Sequence, residues 1–200
     1  REALRSEGLS PAERITRGRI FFCGEPAGQV AAVLSRIFGV VDVAECTLTP
    51  PDPGAVTEAA VARARASAGP AKTFAVRARR EGDFGMTSRE LAARVGSAVL
   101  AACPGITVDL DNPDYELHVE LRQTGGVVYD RRIPAPGGLP LGTQGRVLAL
   151  LSPGIDSPVA AWLMMKRGCE IVALHVSHGD GEDPSTLPGT LRNLAILSGW

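Results

Sequence analysis

Residues 147–151 (Val-Leu-Ala-Leu-Leu) are apolar without interruption. A strand with one wet face alternates; a continuous run of this length suits a parallel strand buried on both faces. Ser152-Pro153-Gly154-Ile155-Asp156-Ser157 follows at once, then a helical stretch to about Arg167, with Gly168 as its stop. Residues 170–176 supply a second apolar strand. Ser157 is placed as the helix N-cap and Pro158 as its first residue, where a missing N–H costs nothing. This strand–loop–helix–strand unit opens a doubly wound α/β sheet, the strongest constraint on the fold.

A short Gly/Ser loop between a buried strand and a helix N-terminus is a natural anion site, because its amides point outward and the helix dipole favours negative charge. Ser152 and Ser157 add hydroxyls, Gly154 permits close backbone approach, and Asp156 can help hold Mg2+ on a pyrophosphate. It is not a Walker loop, for G-x-x-x-x-G-K-[ST] is absent. On spacing alone, an ordinary capped strand–helix connection accounts for the same residues.

Upstream, residues 19–22 read as a strand, 28–38 as a helix with Val30, Val33, Leu34 and Ile37 on one face, and 40–47 as a strand. This β-α-β run looks like the back part of a small ferredoxin-like domain. Pro50, Pro51, Pro53 and Gly54 mark a break. A helix at 55–67, a strand at 72–79, a helix from the Thr87-x-x-Glu90 capping box to Ala102 and a strand at 106–110 follow. A hairpin then pairs 115–122 with 127–132 across Thr124-Gly125-Gly126. Seven Pro and Gly residues between 134 and 145 suggest a linker. The expected domains are 1–48, 49–133 and 146–200, the last two joined by 134–145.

Charge is nearly balanced over the 200 residues, 21 basic against 22 acidic, so RNA binding would require local clustering rather than a basic domain. No apolar run reaches the ~18 residues of a membrane span, and a chain that starts at Arg1 and stops at Trp200 reads as an interior fragment without a leader. Cys23, Cys46, Cys103 and Cys169 are widely spaced and expected as reduced, mostly buried thiols. His175 and His178 lack the third ligand of a zinc site.

The loop is similar to the S-G-G-x-D-S signature of the PP-loop ATP pyrophosphatases. The string Leu150–Ala160, followed by Met164-Met165-Lys166-Arg167-Gly168, resembles the tRNA 4-thiouridine synthetases specifically. So do Pro136-Gly137-Gly138-Leu139-Pro140 and Gly142-Thr143-Gln144-Gly145. The block upstream then resembles a THUMP domain, that family's RNA-binding module. The resemblance implies adenylation of the uridine at position eight of tRNA by ATP, with Mg2+, and replacement of its C4 oxygen by sulfur from a cysteine persulfide, with a role for many members in thiamine synthesis. It implies tRNA and a persulfide-donating cysteine desulfurase as partners, allows a homodimer, and implies a cytoplasmic protein without membrane association. Catalytic roles fall on Asp156 and Ser157. Nucleotide contacts fall on Leu150, Leu151, Ser152, Gly154, Ile155, Asp156, Ser157, His175 and Val176. The family's reactive cysteines lie beyond this stretch.

Two positions depart from the pattern. Pro153 replaces a Gly and removes a backbone donor, and Val176 replaces an aromatic residue. For RNA, the candidates are Lys72, Arg77, Arg79, Arg131 and Arg132, with Arg77 and Arg79 on one strand face. On charge alone they also fit a solvated face balanced by Glu81, Asp83, Glu116 and Asp130. Another PP-loop ligase would explain 147–176 only; a non-catalytic RNA-binding protein with a decayed loop would explain Pro153.

Overall fold

The computed structural model describes residues 1–16, 19–177 and 186–200. Its backbone contacts divide it into two units, 1–43 with 133–200, and 44–132.

The first unit begins with α1 (Glu2–Ser6), the antiparallel hairpin β1 (Ala12–Thr16) and β2 (Arg19–Cys23), and α2 (Ala27–Leu34). Leu4, Leu9, Val30 and Val33 make the small core that joins α1 to α2. The helix stops at Leu34, four residues before its expected end, and Ile37 and Phe38 lie beyond it. The strand expected over 40–47 is split. Only β3 (Asp42–Val43) stays with this unit, and Thr47 leaves it for the other sheet.

The second unit is a five-stranded sheet carrying two helices. In chain order it runs β4 (Thr47–Thr49), α3 (Pro53–Ser67), β5 (Thr73–Glu81), α4 (Ser88–Ala102), β6 (Thr107–Val108), β7 (Tyr115–Arg122) and β8 (Gly125–Tyr129). The spatial order is β4-β8-β7-β5-β6, with β5 parallel to β6 and β7. Asp52 caps α3 by accepting from the Ala55 amide, and Pro53 opens the helix, so the proline cluster starts an element as well as ending one. The capping box at α4 forms as its spacing demands: the Glu90 amide donates to the Thr87 hydroxyl at 3.2 Å, and the Thr87 amide to the Glu90 carboxylate at 2.6 Å. Phe74, Leu91, Val95, Leu117, Val119, Leu121 and Val128 form the core between sheet and helices.

Gly125 and Gly126 are strand residues, and Gln123-Thr124 makes the turn. The reason is steric. A Cβ on Gly126 would overlap the Thr49 hydroxyl and the Val56 side chain, so only glycine lets β4 and α3 close on β8. Asp130 is nearly buried beside this hairpin, where Arg63 Nε donates to it at 2.9 Å and the Tyr115 hydroxyl at 3.0 Å.

The chain then returns to the first unit. β9 (Ile133–Pro134) pairs with β3. Residues 135–145 are held in place: Leu139 N donates to Lys166 O and Gln144 N to Gly168 O, a fixed connector rather than a free linker. β10 (Arg146–Leu150) and β11 (Glu170–Leu174) are parallel, with α5 (Asp156–Lys166) between them in sequence and α6 (Leu187–Leu197) after them. Ala149, Leu151 and Ile171 pack toward Phe38, Ala161, Met165 and Leu197. Leu148, Leu150, Val172 and Leu174 alternate to the other face and are exposed, Leu150 by 64%. The run therefore has one packed face among the described residues, not the two its composition suggests. Cys169 is buried and Cys46 and Cys103 half-buried, but Cys23 is exposed on the β2 edge.

Candidate functional site

β10 and β11 run in the same direction, so their carboxyl ends lie side by side, where open α/β sheets bind ligands. The loop 151–155 starts there, anchored by Leu151 N donating to Leu174 O at 2.8 Å. α5 opens at Asp156 with Ile155 as N-cap, and no side chain caps it. Pro158 is therefore its third residue, and Ser157 is not the cap. The Ser157 hydroxyl turns back instead, accepting from Ser152 N at 2.9 Å and lying 3.0 Å from the Ser152 hydroxyl. A nearby amide on the strand end has won it from the helix. The uncapped first turn keeps donors pointing out of the helix, as an anion site requires.

Ser152, Gly154, Ile155 and Asp156 are exposed and Ser157 is half-buried. Leu151 is buried in the core, so only its main chain borders the loop; Leu150 and Val176 expose their side chains. The His175 ring is turned into the protein. Nδ1 lies 3.1 Å from Leu151 O, and a carbonyl can only accept, so Nδ1 carries the proton. Thr190, nearly fully buried, places its hydroxyl 3.3 Å from the same nitrogen, and that hydroxyl donates to Thr186 O at 3.2 Å. Nε2 is left to accept from the Thr186 hydroxyl at 3.5 Å. A ring so engaged does not serve as a free metal ligand, and His178 lies outside the described residues. Among the described residues no three Asp, Glu, His or Cys side chains converge on a metal position.

α6 contributes what the sequence pattern did not reveal. Asn193 Nδ2 donates to both Ser152 O and Gly154 O at 3.0 Å. The available signal was two uncharged polar residues, Thr190 and Asn193, in a stretch otherwise rich in leucine.

The RNA candidates divide into engaged and free cations. Arg77 is engaged: its guanidinium donates to Glu116, at 2.8 Å from Nε, and to Leu110 O at 3.0 Å. Across the register from Arg77 stands His118, which stacks on Tyr129 with centroids 4.8 Å apart and planes 4° apart. Arg132 lies over the other partner of that stack, 5.3 Å from the Tyr129 centroid, and donates to its hydroxyl at 2.7 Å. Burial, reinforced by Arg132, lowers the His118 pKa, so the ring tends to stay neutral. Arg79 and Arg131 are exposed, with no side-chain partner among the described residues. Lys72 is exposed too, but its charge acts on Asp114, whose carboxylate accepts from the Lys72 amide at 2.9 Å. Of the balancing acids, Glu116 does pair with Arg77, but Asp130 is committed to Arg63, Glu81 faces Arg122 at 3.4 Å and Asp83 accepts from Gly85 N.

The family model of the THUMP domain matches residues 55–129, and that described as thiamine biosynthesis protein (ThiI) matches 142–197. A probable tRNA sulfurtransferase of Methanothermobacter thermautotrophicus is 43% identical over 169 residues, 82% of this chain and 43% of its own length. The chain belongs to the tRNA sulfurtransferase family. A tRNA sulfurtransferase of Pyrobaculum aerophilum is 42% identical over 185 residues, 92% of this chain and 37% of its own. A crystal structure of a 4-thiouridine synthetase–RNA complex with bound ATP superposes with a TM-score of 0.81 at 28% identity, covering 99% of this chain and 53% of that one. The chain thus spans less than half the length of these two curated family members. No described helix is long and apolar enough to cross a membrane.

Proposed function

We propose that the protein to which this chain belongs is an ATP-dependent tRNA sulfurtransferase that makes 4-thiouridine at position eight. The observation that carries this reading is the uncapped loop 152–157 at two parallel strand ends, in a chain of this family. ATP binds with its phosphates against the exposed loop and the first turn of α5. The amides of Ile155, Asp156 and Ser157 and the Ser152 hydroxyl are the donors. Adenylation of the uridine C4 oxygen releases pyrophosphate. The outer sulfur of a persulfide charged by a cysteine desulfurase then attacks C4 and expels AMP. A second thiol breaks the S–S bond, leaving a disulfide and freeing 4-thiouridine. A role in thiazole sulfur transfer for thiamine belongs to the same proposal, as does a cytoplasmic setting.

The positions of Asp156 and Ser157 support catalytic roles for both. Asp156 offers one exposed carboxylate at the phosphate end, which suits Mg2+, an ion that commonly takes one or two carboxylates and completes its shell with phosphate and water. Magnesium would there offset phosphate charge. Ser157 holds the Ser152 amide and hydroxyl in place beside the phosphates. His175 and Val176 border the site through their main chain, since the His175 ring is used elsewhere. The block 49–133 supplies RNA contacts, with Arg79 and Arg131 as its free cations, Lys72 beside Asp114, and Arg77 and Arg132 as partners held on the sheet.

The decisive experiment mixes the intact protein with ATP, unmodified tRNA and a persulfide source, and follows AMP and 4-thiouridine. Formation of both supports the reading. AMP release dependent on a different acceptor points to another PP-loop ligase. tRNA binding without any AMP points to a non-catalytic RNA-binding protein, the reading that Pro153 favours.

A further inference from the structure

α6 touches the loop at two places. Asn193 donates from Nδ2 to Ser152 O and Gly154 O, both at 3.0 Å. Because both partners are carbonyls, the nitrogen of the side-chain amide must be the atom facing them. Four residues earlier, and therefore on the same helix face, stands Gly189. A Cβ placed there would lie 2.6 Å from Pro153 Cβ and 3.3 Å from Pro153 Cα. The pair clasps the loop, one residue by hydrogen bonds and the other by leaving room for the proline ring.

The clasp has a directional consequence. A trans peptide is planar, with C=O and the following N–H pointing opposite ways. Turning Gly154 O toward Asn193 aims Ile155 N–H away from α6, out of the loop. Turning Ser152 O the same way aims the nitrogen of residue 153 outward too, where proline contributes no hydrogen. Carbonyls gathered by Asn193 are also carbonyls kept from facing a phosphate. One polar side chain thus settles both which donors the loop presents and which acceptors it withholds.

We propose that Asn193 and Gly189 are positioning residues for nucleotide binding. Asn193 sets the peptide orientation of the loop 152–155, and Gly189 is the counterpart that makes Pro153 compatible with it. This deepens the reading of the loop as an ATP site and rests on it.

The test titrates ATP into the intact protein and its variants by calorimetry, with the melting temperature followed in parallel. The parent should bind ATP. Asn193→Asp keeps the size but places a carboxylate against two carbonyls, and should weaken ATP binding by roughly tenfold, with a melting temperature lowered by the two lost hydrogen bonds. Gly189→Ala should weaken binding by roughly fivefold in the Pro153 background and by under about twofold when combined with Pro153→Gly, because contacting residues couple. A purely structural contact would lower the melting temperature without this dependence on residue 153 in ATP affinity. Parent-like ATP binding by Asn193→Asp, or an equal effect of Gly189→Ala in both backgrounds, overturns the inference while leaving the ATP site standing. If Asn193→Asp does not fold, the Gly189–Pro153 cycle decides. A parent that binds no ATP overturns the site reading and this inference together.

Discussion

At Pro153 two terms would act in opposite directions on the proposed ATP binding. Replacing it with glycine supplies an N–H on the side of the loop that faces away from Asn193, and a hydrogen bond to a charged group contributes roughly 1.5–3 kcal/mol. The same change frees the backbone, at a cost of about 0.4–1 kcal/mol. The donor wins, so Pro153→Gly should tighten ATP binding in calorimetry, by roughly two- to eightyfold from the difference of the two terms; unchanged or weaker binding would mean that the proline restraint dominates. Asp130 offers a second residue-scale forecast. Burial opposes its charge, but hydrogen bonds from Arg63, Ser67 and Tyr115, with the Arg63 charge, outweigh it and hold the carboxyl below its ordinary value. A lowered folded pKa stabilises fully above the unfolded value of about 3.9 and is lost as pH falls through the folded value. Asp130→Asn should therefore lower stability at neutral pH by about 1.5–3 kcal/mol, and flatten the acid side of a denaturation profile below about pH 4.

Among the elements, those written in local chemistry were legible from the residues alone. Thr87 and Glu90 are three apart and cap each other, and β10–α5–β11 follows from an apolar run, a loop and a glycine stop. What was not legible depends on partners distant in sequence. Thr47–Thr49 joins β8, some 80 residues on, and nothing in its own composition says so. Gly125-Gly126 carries a turn signature, yet Gly126 is needed inside the strand because Thr49 and Val56 close over it. Ser157 has the residue type of an N-cap, but the Ser152 amide, brought close by the loop, takes it. The Gly126 case can be checked directly. Gly126→Val should improve strand propensity and still destabilise the unit, by about 3 kcal/mol, since overpacking costs typically 1–3 kcal/mol and the overlap here involves two neighbours. Chemical denaturation would read this as a lower midpoint with the same slope; a rise in the midpoint would mean that β4 yields easily.

For the whole molecule, the proposed tRNA binding has to be met by a chain of nearly balanced charge. Bulk attraction is not available, for residues 72–132 carry nine basic and nine acidic side chains. The ion pairs decide which cations count. Arg77 is neutralised by Glu116, Arg122 by Glu81 and Glu120, and Arg63 by Asp130, so their phosphate contacts would require breaking a pair. Arg79 and Arg131 are exposed and free of such pairs among the described residues. These two should carry most of the salt-dependent contact, with Arg77 contributing less than its place beside Arg79 suggests. Arg79→Ala and Arg131→Ala should each weaken tRNA binding uniformly across tRNA sequences and flatten the plot of log affinity against log salt, by about one unit per lost phosphate contact. Arg77→Ala should leave the slope nearly unchanged and release Glu116, whose unbalanced charge would then repel RNA. Binding of tRNA by filter retention at several salt concentrations separates these outcomes. If Arg77→Ala flattens the slope as much as Arg79→Ala, the Glu116 pair opens on RNA binding, and the cations on this sheet act as one group.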